Sequence, residues 1–256
     1  MVSGIPVYTQ ALTLVLHFGW CHLFIIKLGW REVGAAIATN ITYILNMVIT
    51  DAWIRYGKET KYKHMIFFYD HTCYTDLWAY IKIGTMGMLM LCFEWWAFEL
   101  LAIFSGLLGV TALASEVVVI NMVTFIFMLP LGISYSASAL VGNYLGEGNV
   151  KDAKIYASLT IVLNIILTSI IVILIGVYSS SLSGLFTNRD DIKEILNNIF
   201  WVLMLYIWFD TIHGVQSGII RGLGLQVYGS VYTLVCYYII GLPLALHFAF
   251  TKEMGI

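Results

Sequence analysis

Seven stretches of this chain are long and apolar enough to cross a bilayer, and that property restricts the fold more than any other. They run approximately from Ile5 to Ile26, Val33 to Trp53, Ile81 to Leu108, Ala112 to Val141, Ala153 to Ser179, Ile195 to Ile220 and Val227 to Phe250. About 20 apolar residues in helical form span a hydrocarbon core. Within that core every backbone amide needs a protein partner, which for segments of this length leaves the α-helix. The sequence therefore predicts an all-α, polytopic membrane bundle of about seven helices. Composition agrees: 60% hydrophobic and 11% charged residues, with a mean hydropathy of +0.87, leave too little charge to clothe a soluble globule. The expected location is a membrane, plasma or internal, crossed several times. The first stretch lacks a basic leading region and a cleavage site, so it reads as a span and not as a signal peptide.

Most connections are short and polar, as between adjacent antiparallel helices. Arg55 to Tyr80 differs: it carries Lys58, Lys61 and Lys63 and then Phe67, Phe68, Tyr69, Tyr74, Trp78 and Tyr80. That pattern suits a linker followed by a helix lying in the membrane interface. The expected organisation is two helices in residues 1–56, a cytoplasmic linker and interfacial helix in 57–80, and a five-helix bundle in 81–256. Eight Lys and Arg residues fall on the linker side of the spans against five on the other, which places the linker inside.

Several function classes are disfavoured. A net charge of -2, with cations scattered between apolar runs, offers no stripe for a polyanion, so no nucleic acid partner is expected. Cys21, Cys73, Cys92 and Cys236 lack metal-ligand spacing and read as packing residues, and no metal or organic cofactor is expected. His17, His22, His213 and His247 lie in spans without metal-like pairing and read as polar packing. The sequon Asn40-Ile41-Thr42 lies inside a span, and GNYLGEGNVK follows a helix and lacks the Lys-Ser/Thr ending of a phosphate loop. No Ser-His-Asp grouping stands out, and the chain is not expected to be an enzyme.

Intramembrane acids are the most informative residues. An acid at the bilayer centre costs about 2.5–3.5 kcal/mol on insertion scales and must face protein or water. Glu94 and Glu99 lie within the third span and Asp210 within the sixth. Five residues separate the first two, a rotation of about 140°, which sets them on different faces. Low dielectric favours the neutral form of a carboxyl group, and a carboxyl that exchanges its proton near physiological pH can trade it for another cation. The alternative use of such acids is to hydrogen-bond neighbouring helices. Glu116 falls in the first turn of the expected fourth span, where it complements the helix dipole and reads as structural.

Trp95, Trp96, Phe98, Tyr206, Trp208 and Phe209 flank the acids. They suit either cation-π attraction for a lipophilic cation or plain packing against lipid. Small residues recur every four positions at Ser134, Ser138, Gly142 and Gly146, and at Gly214, Gly218 and Gly222, as helix-packing stripes do. Pro130 and Pro243 each remove a backbone donor inside a span, and are candidate hinges or simple bends.

Three segments carry a family resemblance: CFEWWAFELLAIFSGLLG at Cys92 to Gly109, MLPLGISYSASALVGNYLGEG at Met128 to Gly148, and GIIRGLGLQVYGSVYTLVCYYIIGLPLAL at Gly218 to Leu246. In order and spacing they resemble the multidrug and toxic compound extrusion (MATE) transporters of eukaryotes. The resemblance implies an antiporter of two six-helix lobes around a central cavity. It would export organic cations or other xenobiotics against H⁺ or Na⁺. It further implies that Glu94 is the first residue for substrate and ion coupling, Asp210 the second, and Glu99 a further acid of the same motif. Asn121 stands where animal members carry an acid, and Leu140 where the signature has Arg. Trp95, Tyr206 and Asn121 are the expected cavity-lining residues.

The resemblance covers seven of the usual twelve spans, the end of a first lobe and five helices of a second. Alternating access needs two bundles rocking around a site between them. The expectation is therefore a truncated product or incomplete gene model, or a partner chain that supplies the missing helices. A lipid-precursor flippase of the same superfamily and a seven-helix receptor are the alternatives.

Overall fold

The structure, a computed structural model, describes residues 4–56, 74–178, 184 and 190–251. Seven helices among the described residues are long and apolar enough to cross a membrane. They are α1 (Gly4–Cys21, continued by a π-helical His22–Lys27), α2 (Arg31–Tyr56), α3 (Leu77–Leu108), α4 (Val110–Gly146), α5 (Val150–Val177), α6 (Asp190–Gly222) and α7 (Gln226–Thr251). No strand occurs among the described residues. The chain falls into two compact units, Met1–Thr75 and Asp76–Ile256.

The first unit pairs α1 with α2 through polar groups that hydrocarbon would otherwise leave unsatisfied. Thr13 donates to the Asn46 side-chain oxygen at 3.0 Å, and the His17 ring bonds the Thr42 hydroxyl at 2.8 Å. Thr42, the last residue of the apparent sequon, is thus part of a helix contact. The linker expected over 57–73 lies outside the described residues. Of the expected interfacial helix, Leu77–Tyr80 are the opening turn of α3, which begins four residues before the apolar run at Ile81.

In the second unit α4 packs along both α5 and α6. Met122, Ile175, Ile192, Phe200, Leu203 and Ile207 form the apolar centre of that three-helix contact. The two small-residue stripes meet face to face. A Cβ on Gly218 would run into the Ser134 carbonyl, and one on Gly222 would lie 2.7 Å from the carbonyl of Ser138. With the backbones that close, Ser134 donates to the Gly214 carbonyl at 2.7 Å and receives the Arg221 guanidinium at 2.9 Å. Between α5 and α6, Thr168 donates to Thr211 at 3.0 Å and the Trp208 indole to Ser169 at 3.2 Å. Small residues and buried hydroxyls do the packing here because lipid supplies no hydrophobic drive between helices.

Helix ends differ from the apolar runs where local chemistry sets them. Gly109, at φ 136, breaks the chain between α3 and α4, and α4 restarts at once. Glu116 consequently lies in its second turn, not the first. The far end of α4 continues past Val141 to Gly146, and the connection shrinks to Glu147–Asn149. Asn149 caps α5 by accepting from the Asp152 amide at 3.2 Å. Pro130 is buried within a continuous α4. Pro243 opens a short α-helical segment of α7, Leu242–Leu246, between π-helical stretches at Val235–Gly241 and His247–Thr251. A π register leaves carbonyls without their usual donors, the adjustment expected where proline removes an N–H.

Two outcomes follow for stability. Gly218→Leu wedges α4 from α6 and should cost about 1–3 kcal/mol or more by thermal unfolding in detergent, whereas Gly132→Ala, which meets nothing within 4 Å, should be neutral or slightly stabilising. Asn149→Ala should cost about 1 kcal/mol in the same assay through loss of the cap.

Candidate functional site

One apolar cavity of about 390 Å³ lies between α3, α4 and α6 in the second unit. Its wall follows from helical spacing. Glu94, Phe98 and Leu101 present one stripe of α3, with Trp95 and Glu99 beside it. Glu116, Val119, Ile120, Val123 and Phe127 present the facing stripe of α4, and Val202, Leu203, Tyr206 and Asp210 that of α6.

The three acids singled out in the sequence all reach this cavity, at different depths. Glu94 and Asp210 are each 8% exposed, whereas Glu99 is exposed. The 140° rotation explains that contrast, but it does not keep Glu99 out, because the cavity is wide enough to meet both faces. Tyr206, one turn before Asp210, and Trp95 also line the wall. Trp96 and Phe209 are on the exposed side of their helices, and Trp208 turns to Ser169 of α5. Asn121 is exposed on α4, about 100° of helix rotation from Ile120, and is not among the residues of this cavity's wall.

His213 is the residue that sequence reasoning missed. It was read as polar packing, yet its Nδ1 stands 3.7 Å from Oε1 of Glu94. Ligand atoms of Glu94, Asp210 and His213 all lie within 4.8 Å of one another, a spacing that one small cation can bridge. The signal was available: His213 follows Asp210 by three residues, which puts the two on one helix face. The other ring nitrogen, Nε2, is 3.4 Å from the Ser217 hydroxyl. Around the cluster the Tyr237 ring meets His213 edge-on at 6.3 Å, and Phe98 meets Tyr206 at 6.3 Å and Tyr237 at 6.0 Å. Tyr237, within α7, belongs to the region that had been read only as a motif.

The charge pattern is one-sided. Glu94, Glu99, Glu116 and Asp210 line the cavity, and among the described residues no Lys or Arg does. Arg221, the nearest guanidinium along α6, is turned to Ser134 and the Tyr135 ring. Such a site attracts cations, holds them against electron-rich ring faces and repels anions.

Comparison with known proteins places the chain in a family. A family model described as MatE matches residues 88–246. Multidrug and toxin extrusion protein 1 of Danio rerio is 31% identical over 96% of this chain, and Protein DETOXIFICATION 16 of Arabidopsis thaliana 28% over 97%. The crystal structure of the eukaryotic MATE transporter AtDTX14 superposes with a TM-score of 0.91 over 97% of this chain, at 25% identity. The chain spans 40% of the Danio rerio protein, 51% of the Arabidopsis thaliana protein and 56% of the AtDTX14 chain. With the family model covering well over half of its residues, and its three motifs on the helices that build the acidic cavity, this multi-pass membrane chain belongs to the MatE family of transporters.

Proposed function

We propose that the chain forms the cation-binding lobe of an antiporter that exports lipophilic organic cations in exchange for H⁺ or Na⁺. The observation that carries the reading is the cavity with four carboxylates, four aromatic side chains in Trp95, Phe98, Phe127 and Tyr206, and, among the described residues, no cationic side chain. Glu94 and Asp210 hold the passenger or the coupling ion, never both at full strength, because each cation neutralises the charge that attracts the other. Glu99, more exposed, draws the passenger toward them, and His213 orients the Glu94 carboxylate. Pro130 in α4 and Pro243 in α7 serve as the points where these helices bend as the cavity changes access. Alternating access requires a second bundle of helices to complete the path.

Relatives named for multidrug and toxin extrusion support the passenger class. The family match leaves no support for a seven-helix receptor. A flippase for a pyrophosphate-linked lipid would need cations where this cavity has acids.

The purified protein in lipid nanodiscs should bind tetraphenylphosphonium saturably and should not bind tetraphenylborate, its anion of like shape, at a saturable site. Glu94→Gln should weaken the cation at least about tenfold, or 1.4 kcal/mol. Saturable binding of the anion, or unchanged cation affinity in the variant, would remove the basis for this reading.

A further inference from the structure

A second cavity, of about 590 Å³, adjoins the first at the end of the bundle where α3 stops at Leu108, α4 begins at Val110 and α7 ends at Thr251. Leu101 and Glu116 line both cavities. The wall of the second is otherwise apolar and aromatic, with Phe104, Leu246, Phe248 and Phe250, and Ser105 the one hydroxyl. Glu116 is its single charged group. It lies six residues past Val110, about 9 Å of helix rise from the turn. Among the described residues no hydrogen bond or ion pair holds its carboxylate.

These features define an occupant. A carboxylate without a protein counter-charge, set among three phenyl rings, matches a cation clothed in hydrocarbon: the acid answers the charge, and ring faces and alkyl walls answer the rest. A hydrated metal ion would find one carboxylate and one hydroxyl among phenyl rings, too few oxygen ligands for its shell. An anion or a neutral lipid tail leaves the carboxylate unmatched. Because Glu116 faces both cavities, a cation held there is already in contact with the chamber of Glu94 and Asp210.

We propose that Glu116 and the cavity beside it form a second, vestibular site for a lipophilic organic cation, a station between the deep carboxylates and that end of the bundle. The choice of passenger rests on the reading given under Proposed function, but the site does not require Glu94 or Asp210. The vestibule lies at the end of α3 away from Leu77, the outer side on the Lys and Arg count, and so acts on release.

The test is equilibrium binding of radiolabelled tetraphenylphosphonium to the 256-residue protein in nanodiscs. The wild type should bind at two sites. A Glu94→Gln/Asp210→Asn variant should keep one, and adding Glu116→Gln to it should weaken that remaining site at least tenfold. Glu116→Asp in the same background, which keeps the charge, should retain affinity within about threefold, showing that charge and not folding is at issue. Absence of binding in the Glu94→Gln/Asp210→Asn variant, or binding unaffected by Glu116→Gln, overturns the inference and leaves the deep site standing. If the double variant binds as fully as the wild type and Glu116→Gln removes that binding, the vestibule stands and the deep-site reading fails. A wild type that binds no cation defeats both.

Discussion

Charge without counter-charge is the constraint around which the second unit is built. Four carboxylates face one apolar cavity, and none of the described lysines or arginines lines it. In water such a group would be solvated. In a membrane helix it needs a partner, and the insertion cost of about 2.5–3.5 kcal/mol for a central acid makes an idle one improbable. The partner that fits is exchangeable: a proton, a small ion or an organic cation. His213 meets part of the need at Glu94, at 3.7 Å, without closing the site.

Holding those acids in register requires a frame that does not yield, and the α4–α6 contact provides it. Glycine at 218 and 222 lets the two backbones approach until side-chain hydroxyl meets main-chain carbonyl. Ser134 is bonded there on both sides, by Gly214 and Arg221, so the Arg221 guanidinium is committed to the frame. The same contact thereby fixes the helices and keeps the cavity free of positive charge. Asp210 and His213 lie one turn and less from Gly214, so the geometry of the site inherits the precision of the packing.

Much of this was legible in the sequence because the lipid phase reduces the choices. Length and hydropathy gave seven helices, and the four-residue spacing of small residues gave the faces that meet. The helix ends were less legible, since Gly109 and the Asn149 cap act through local backbone chemistry that hydropathy does not register. Of the acids, Glu94 and Asp210 stood out by depth alone. Glu116 was placed in a first turn because the restart of α4 at Val110 could not be read from apolar content. His213 was passed over because its spacing of three from Asp210 was not weighed and its other neighbour, Glu94, is on another helix.

What most directly tests the account is the number of ions displaced when the passenger binds. Titration calorimetry of tetraphenylphosphonium binding, in buffers of different ionisation enthalpy and with or without sodium, counts them. The account predicts release of H⁺ or Na⁺ with each cation bound at the deep site, and loss of that release in the Glu94→Gln/Asp210→Asn variant. Cation binding that is equally strong at every pH and sodium concentration, with no ion released, would contradict it.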